Sequence, residues 1–385
     1  MKELSDCRVL IVDDAQPNVD VLVGALRDEY KLAVAIDGEG ALRSIEKSLP
    51  DLVLLDIMMP GIDGYEVCRR LRAKEATREL PIMFLSSLED VKDKTRGFEV
   101  GANDYVTKPF EVLEVKARAR SLLKAKAYAD AVKAAAERDL RIAREIQMGI
   151  LPADVASRVR GTGLDVHALL EPAQQVGGDL YEVLRLPDGR VMVALGDVSG
   201  KGIPAALFMG VTMTLLRSLA RQCQSPDAIL RRVNDELLDQ NPRGMFVTLQ
   251  CLLIDTATRQ VACATAGHDA AVLLSPGRPP RTVFDSTGRV IGLMPDNPVT
   301  AESLQMRPDE TLVLSTDGVS EAFDAKQEMF GKERLLAQLE KEPGRTAEET
   351  TRSVVEAVRR HAKGAKQSDD ITVVSVRWQG SGLAV

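Results

Sequence analysis

Four acidic segments hold the residues that could do chemistry in the second half of this 385-residue chain. They are GGDLYE at 177–182, GDVSGKG at 196–202, STDGV at 315–319 and DDIT at 369–372. Each sets an aspartate beside a glycine or at a strand end, where backbone can come close to a bound ion. Carboxylate oxygens gathered in this way bind hard divalent cations such as Mg²⁺ or Mn²⁺, and two such ions make a hydrolytic centre. A lone strand-end aspartate is ordinarily a turn former or a helix cap. Four at the rim of one sheet repel one another unless cations offset the charge.

A second group lies in the first third of the chain. Asp13 and Asp14 follow the apolar run RVLIV (8–12), Asp56 ends DLVLLD (51–56), Ser86 follows PIMFL (81–85), and Lys108 follows DYVT (104–107). Three carboxylates and one lysine in a crevice are unfavourable unless a cation joins them. With a divalent ion bound, Asp56 is placed as a nucleophile in phosphoryl transfer, Lys108 helps neutralise charge, and Ser86 can hydrogen-bond the added phosphoryl oxygens.

The elements that must position these groups can be read from the pattern. With KLAVAI (31–36), the apolar runs make five strands, and helical segments such as Val19–Arg27 and Tyr65–Arg72 lie between them. This alternation predicts a doubly wound α/β domain with a five-stranded parallel sheet, whose ligands bind at the carboxyl ends of the strands. Residues 111–150 change character: no glycine or proline occurs between Glu111 and Met148. A seam of Leu122, Ala125, Ala129, Val132, Ala136, Ala143, Ile146 and Ile150, broken by Asp139, predicts a long coiled-coil-like helix. It is read either as a dimerising element or as an amphipathic linker packed on its own domains. Its nine Lys/Arg against four Asp/Glu between Lys116 and Glu145 are a solvated face. Pro152 ends it, and strands and helices in blocks from there to Val376 predict an α+β layered domain. The expected organisation is 1–123, a helical linker 124–150, and 151–380.

Composition narrows the classes. Apolar residues make up 45% and charged residues 28%, as in a globular chain, and the net charge of −7 opposes general nucleic-acid binding. Five scattered cysteines without a CxxC pair read as reduced thiols, not zinc ligands. No secretion signal is visible and no apolar run reaches the ~20 residues that span a bilayer, so a cytoplasmic protein is expected.

The first group resembles the response-regulator receiver family through VDD at 12–14, DIMMPGIDG at 56–64, LSS at 85–87 and KPF at 108–110. The resemblance covers about residues 6–123. It implies that Asp56 accepts phosphate from a sensor histidine kinase, and that Asp14, Asp56 and the Met58 carbonyl hold Mg²⁺, with Asp13 acting through water. It further implies Lys108 as the phosphoryl partner, Ser86 as the switch hydroxyl, Tyr105 as the switch aromatic, and a cis peptide before Pro109. Tyr105 could equally be a core aromatic.

The second group is similar to the metal-dependent protein phosphatases, in particular their bacterial SpoIIE-type branch. EIQMGILP (145–152), GGDLY, GDVSGKGIPAAL (196–207), TAGHDAAVLL (265–274), STDGVSEA (315–322) and SDDITVV (368–374) carry the likeness over about residues 140–377. It implies that Asp197 bridges two Mn²⁺ or Mg²⁺ ions, with the Val198 carbonyl, Asp317, Asp369 and Asp179 as further ligands. Asp370, Glu182 and His268 are secondary candidates, with His268 either a general acid or a residue that orders its turn. Glu182 stands where the family usually has Asp, and Asp269–Ala271 replaces a proline-rich step. GGDLYE resembles a cyclase signature only in its first three residues.

Together the resemblances imply a two-component regulator whose output removes phosphate from serine or threonine of a protein. The expected substrate is an anti-sigma-factor antagonist. The expected assembly is a homodimer through the linker, with no nucleic-acid or membrane partner. The alternative is a catalytically inert phosphatase-fold adaptor that binds a sigma-factor regulator.

Overall fold

The computed structural model describes residues 3–86, 97–239, 241–341 and 346–379. Ser87 of the LSS segment lies outside them. The chain divides into two compact units, Met1–Arg138 and Asp139–Val385.

The first unit is a parallel sheet of β1 (Arg8–Val12), β2 (Lys31–Ala35), β3 (Leu52–Asp56), β4 (Ile82–Ser86) and β5 (Asp104–Thr107) in the order β2-β1-β3-β4-β5. The order reverses between β1 and β3, so the crevice at their carboxyl ends receives Asp13, Asp14 and Asp56. All five residues of β3 are buried, because helices cover both faces of the sheet. These helices include α1 (Gln16–Leu26), α2 (Gly38–Lys47) and α3 (Gly64–Ala73). Asp63 caps α3 by accepting from the Glu66 N–H at 2.7 Å. A Cβ on Gly64 would lie 2.3 Å from the Asp56 carbonyl oxygen, so only glycine lets α3 start this close to the end of β3.

α4 (Val112–Ile150) is a single 39-residue helix. Val115, Ala119 and Leu123 pack into the core of the first unit, while Ile150 and the following Leu151 pack into that of the second. Residues 128–139 are exposed on every face of the helix.

The second unit holds two five-stranded sheets. One runs β13 (Ala301–Gln305), β10 (Gln260–Ala266), β9 (Val247–Ile254), β8 (Val191–Val198), β7 (Leu180–Arg185). The other runs β12 (Arg281–Val283), β11 (Ala271–Leu274), β14 (Thr311–Ser315), β15 (Ile371–Trp378), β6 (Leu164–Glu171). Neighbouring strands in both are antiparallel. A core that includes Leu195, Leu249, Leu312 and Val374 joins the two sheets. After the four-residue α5 (Val155–Arg158), α6 (Ile203–Leu219) and α7 (Pro226–Leu238) lie against the first sheet. The one-turn α8 (Asp317–Ser320), α9 (Gly331–Lys341) and α10 (Ala347–His361) belong with the second. No helix among the described residues is long and apolar enough to cross a membrane.

Candidate phosphoacceptor crevice and metal centre

In the first unit the expected groups converge. Carboxylate oxygens of Asp13, Asp14 and Asp56 lie within 4.8 Å of one another, the one such acidic trio among the described residues. Asp13 and Asp56 are buried, and Asp14 is exposed. The Lys108 Nζ donates to Asp13 Oδ2 at 2.7 Å and lies 2.8 Å from Asp56 Oδ2. Burial opposes the Lys108 charge, but the two carboxylates outweigh it and hold the ammonium above its usual range. Burial raises Asp56 and outweighs the opposing effect of Lys108.

The remaining receiver residues surround this group. The Met58 N–H donates to Asp56 Oδ1 at 3.3 Å. Ser86 is buried at the end of β4, and its carbonyl accepts from the Lys108 N–H at 2.6 Å. The Lys108–Pro109 peptide is cis. Tyr105 packs edge-on against Phe98, with ring centroids 5.8 Å apart. Asn18 was not visible as a site residue; its Nδ2 donates to both Asp13 oxygens and holds that carboxylate in place.

In the second unit the acidic segments meet at the sheet ends. Asp197 lies next to last in β8, opposite Thr248. Asp317 does not end β14; Thr316 intervenes and Asp317 opens α8. Burial first, then Asp317 and Asp369, push the Asp197 carboxyl up to about 7, while a side-chain hydrogen bond with Asp179 offsets part of the rise. Asp179 is buried, and burial followed by the Asp197 charge drives it well above the carboxylate range. Asp317 is raised by burial, then by Glu321 and Asp369. Asp179, Asp197, Asp317 and Asp369 therefore form one interacting group, and the joint ionisation of Asp179, Asp197 and Asp317 is favoured by added positive charge.

Glycines let the backbone close around this group. A Cβ on Gly178 would lie 2.5 Å from the Val198 carbonyl oxygen and 3.0 Å from Asp197 Oδ1. A Cβ on Gly177 would overlap Asp370 Oδ2 at 1.7 Å, and one on Gly318 the Asp370 carbonyl oxygen at 1.8 Å. Carboxylate and carbonyl oxygens crowded at glycine-lined backbone suit a hard divalent cation. The residues present thus fit the implied ions.

Of the three secondary candidates, two are used elsewhere and His268 fits one of its two expected roles. Both Asp370 oxygens are used by backbone, accepting from the Ala173 N–H at 2.7 Å and the Gly178 N–H at 3.0 Å. Asp370 is therefore a clamp on the GGD loop and not an open ligand. Glu182 is fully buried and paired with Arg158, at 2.6 Å, and with Arg217. Its carboxylate is consumed as the anchor of α5 and α6. His268 is buried with Nδ1 2.9 Å from the Thr248 hydroxyl, and burial drives it down to about 4 against the opposing effect of Asp269. A neutral, buried imidazole suits the turn-ordering role better than that of proton donor.

Sequence reasoning missed four supporting residues. The Thr316 hydroxyl donates to Asp179 Oδ2 at 2.8 Å and the Thr372 hydroxyl to the same oxygen at 2.5 Å. The Lys201 Nζ donates to Asp369 Oδ2 at 2.9 Å and to the Ser368 carbonyl at 2.6 Å. Gln147 exchanges two hydrogen bonds with Gly177. All four lie inside or next to the quoted motifs, but only the fold supplies their partners.

Comparison with known proteins places both groups. The stage II sporulation protein E (SpoIIE) family matches residues 187–379, and the response regulator receiver domain family matches 9–120. Response regulator PleD of Caulobacter vibrioides is 38% identical over 177 residues, 45% of this chain and 37% of its own length. Protein IcfG of Synechocystis is 30% identical over 271 residues, 62% of this chain and 41% of its own. The chain thus spans less than half the length of either relative. The SiaA-PP2C domain of Pseudomonas aeruginosa shares the fold, with a TM-score of 0.58 and 24% identity over 65% of this chain and 98% of that domain. The acidic sheet ends, their glycine surroundings and the profile match over half the residues agree: the chain belongs to the SpoIIE family and carries a response-regulator receiver domain ahead of the matched region.

Proposed function

We propose that the second unit hydrolyses phosphoserine or phosphothreonine on a protein, and that phosphorylation of Asp56 in the first unit controls it. The observation that carries the reading is the gathering of acidic segments at glycine-lined backbone, where a Cβ on Gly178 would lie 3.0 Å from Asp197 Oδ1 and burial, then Asp317 and Asp369, push the Asp197 carboxyl up to about 7. Carboxylates perturbed together in this way mark a functional site, and a bound cation relieves their repulsion. Asp179, Asp197, Asp317, Asp369 and the Val198 carbonyl would hold two Mn²⁺ or Mg²⁺ ions. When bound, these supply an acidified water and neutralise phosphate charge. The chain's own part is to hold the carboxylates in place. Thr316 and Thr372 fix Asp179, Asp370 and Gln147 fix the GGD loop, and Lys201 fixes the loop carrying Asp369.

In the first unit, Asp13, Asp14, Asp56 and the Met58 carbonyl would hold Mg²⁺, and Lys108 would balance a phosphoryl group donated by a sensor histidine kinase. Ser86 and Tyr105 would respond to it. The proposed substrate is a phosphorylated anti-sigma-factor antagonist. The proposed assembly is a homodimer along α4, where Tyr128, Val132, Ile142 and Ile146 are exposed at spacings that suit a coiled-coil seam. An inert adaptor is disfavoured because every expected aspartate ligand is present.

The test is Mn²⁺-dependent phosphate release from phosphoserine protein by wild type and by Asp197→Ala, with and without beryllofluoride as a phosphate analogue at Asp56. Equal rates for wild type and variant would remove the enzyme. An unchanged rate and association state with the analogue would remove the control.

A further inference from the structure

A cleft of ≈ 190 Å³ includes Asp369, one of the candidate metal ligands, in its lining. Gly318 and Asp369 line it together with the apolar surface of Phe323, Ala362 and Ile371 and the paired Glu171 and Arg359, and the exposed Lys366 stands at its rim. The chain bearing that rim, residues 357–368 (AVRRHAKGAKQS), holds Arg359, Arg360, Lys363 and Lys366 and no acidic residue, in a protein whose net charge is −7. Cations near a helix C-terminus are commonly there to offset the helix dipole. That accounts for Arg359 and Arg360 but not for Lys363 and Lys366, which lie beyond the end of α10 at His361.

The pairing of these groups differs. Arg359 is neutralised by Glu171, and Arg360 donates to the neutral Gln338 side chain at 3.5 Å. Lys363 and Lys366 are exposed, and neither has a carboxylate partner among the described residues. The Gln367 Nε2 ties this segment down by donating to the Glu171 carbonyl at 2.9 Å and the Asp369 carbonyl at 2.8 Å. Its position relative to Asp369 is therefore fixed.

We propose that this cleft is the docking groove for the polypeptide flanking the phosphorylated residue, and that it selects substrates with acidic residues beside an apolar one. The inference rests on the phosphatase reading and adds its substrate class. Lys366, which lines the cleft, and the nearby Lys363 supply the attraction, and Phe323 and Ile371 receive the apolar side chain. Unpaired charges next to a reaction centre steer an oppositely charged partner and show themselves through salt dependence.

The test compares wild type with the double variant Lys363→Glu/Lys366→Glu on two phosphoserine peptides, one with glutamates flanking the phosphoserine and one with alanines. Para-nitrophenyl phosphate, which carries no flanking polypeptide, reports the centre alone. Wild type should prefer the acidic peptide, and salt should weaken that preference. The double variant should lose it, with kcat/KM for the acidic peptide down about tenfold through KM, while para-nitrophenyl phosphate hydrolysis stays unchanged. Fluorescence anisotropy of the labelled acidic peptide should show the same loss of binding. An equal ratio of the two peptides in both proteins, or unchanged binding, overturns the groove while leaving the phosphatase intact. Failure of wild type to hydrolyse para-nitrophenyl phosphate counts against the phosphatase instead, and the anisotropy still decides the groove.

Discussion

Gln147, near the end of the long helix, and Gly177, two residues before Asp179, exchange a pair of hydrogen bonds. The Gln147 Nε2 donates to the Gly177 carbonyl at 2.7 Å, and its Oε1 accepts from the Gly177 N–H at 3.2 Å. Gln147 is buried, so both groups at Gly177 lose their partner if the side chain is removed. A buried backbone group left unpaired costs about 1–3 kcal/mol. Gln147→Ala should therefore loosen the GGD loop and weaken metal binding by about tenfold or more. A Mn²⁺ titration of activity, with binding calorimetry, checks it. An unchanged midpoint would show that the pair only fastens the helix.

The glycine contacts make a sharper contrast. At Gly177 an added methyl meets Asp370 Oδ2 at 1.7 Å, whereas at Gly24 it meets nothing within 4 Å. Gly177→Ala should displace the Asp370 clamp and abolish activity. Gly24→Ala, inside α1, should raise stability by about 1 kcal/mol through helix propensity. Thermal unfolding and phosphate release on the two variants separate these outcomes, and an active Gly177→Ala protein would contradict the geometry.

How much of this was legible before folding depended on which residues shared a local pattern. The five parallel strands could be read because runs such as Leu52–Asp56 are buried throughout and stand out from the helices between them. β13 (AESLQ) is largely exposed and β12 (RTV) is three residues long, so neither carries a period to detect. The aspartates could be read because glycines and strand ends accompany them in sequence. The jobs of Asp370 and Glu182 could not. Asp370 holds Ala173 and Gly178, 197 and 192 residues away, and Glu182 holds Arg158 and Arg217, 24 and 35 residues away. Such pairings are properties of the fold, and no motif spacing encodes them.

Glu182 itself gives a prediction that separates structure from chemistry. Removing one partner of a fully buried ion pair costs about 3–5 kcal/mol. Here the arginine side chains are 35% and 34% exposed, so water recovers part of that. Glu182→Gln should destabilise the second unit by roughly 2 kcal/mol and leave the metal midpoint near the wild-type value. Denaturant unfolding with a parallel Mn²⁺ titration measures both, and a shifted midpoint at unchanged stability would return Glu182 to the metal centre.

Lys201 sets its ammonium on Asp369, and this contact raises the lysine above its ordinary range. A cation that uses Asp369 must share that carboxylate with it. Lys201→Met should therefore tighten Mn²⁺ binding severalfold while making the 366–371 loop easier to cleave by protease, since the bond to Ser368 is lost as well. Calorimetry and limited proteolysis read the two effects independently. Weaker Mn²⁺ binding would mean that Lys201 orients Asp369 for the ion instead of competing with it.

His268 supplies the pH dependence. Burial brings its imidazole down to about 4 from an ordinary 6.5. Between these values the unfolded chain binds a proton that the folded chain does not, so this contribution to stability is complete above pH 6.5 and is lost as pH falls toward 4. Its full size is about 3 kcal/mol, since each tenfold change in proton affinity is worth ~1.4 kcal/mol. The stability difference between wild type and His268→Gln should therefore move against wild type as pH is lowered from 6.5 to 4. The His268 ring proton resonances should stay flat between pH 8 and 5. A titration midpoint near 6.5 in those resonances would show an imidazole open to solvent and would return His268 to candidacy as a proton donor.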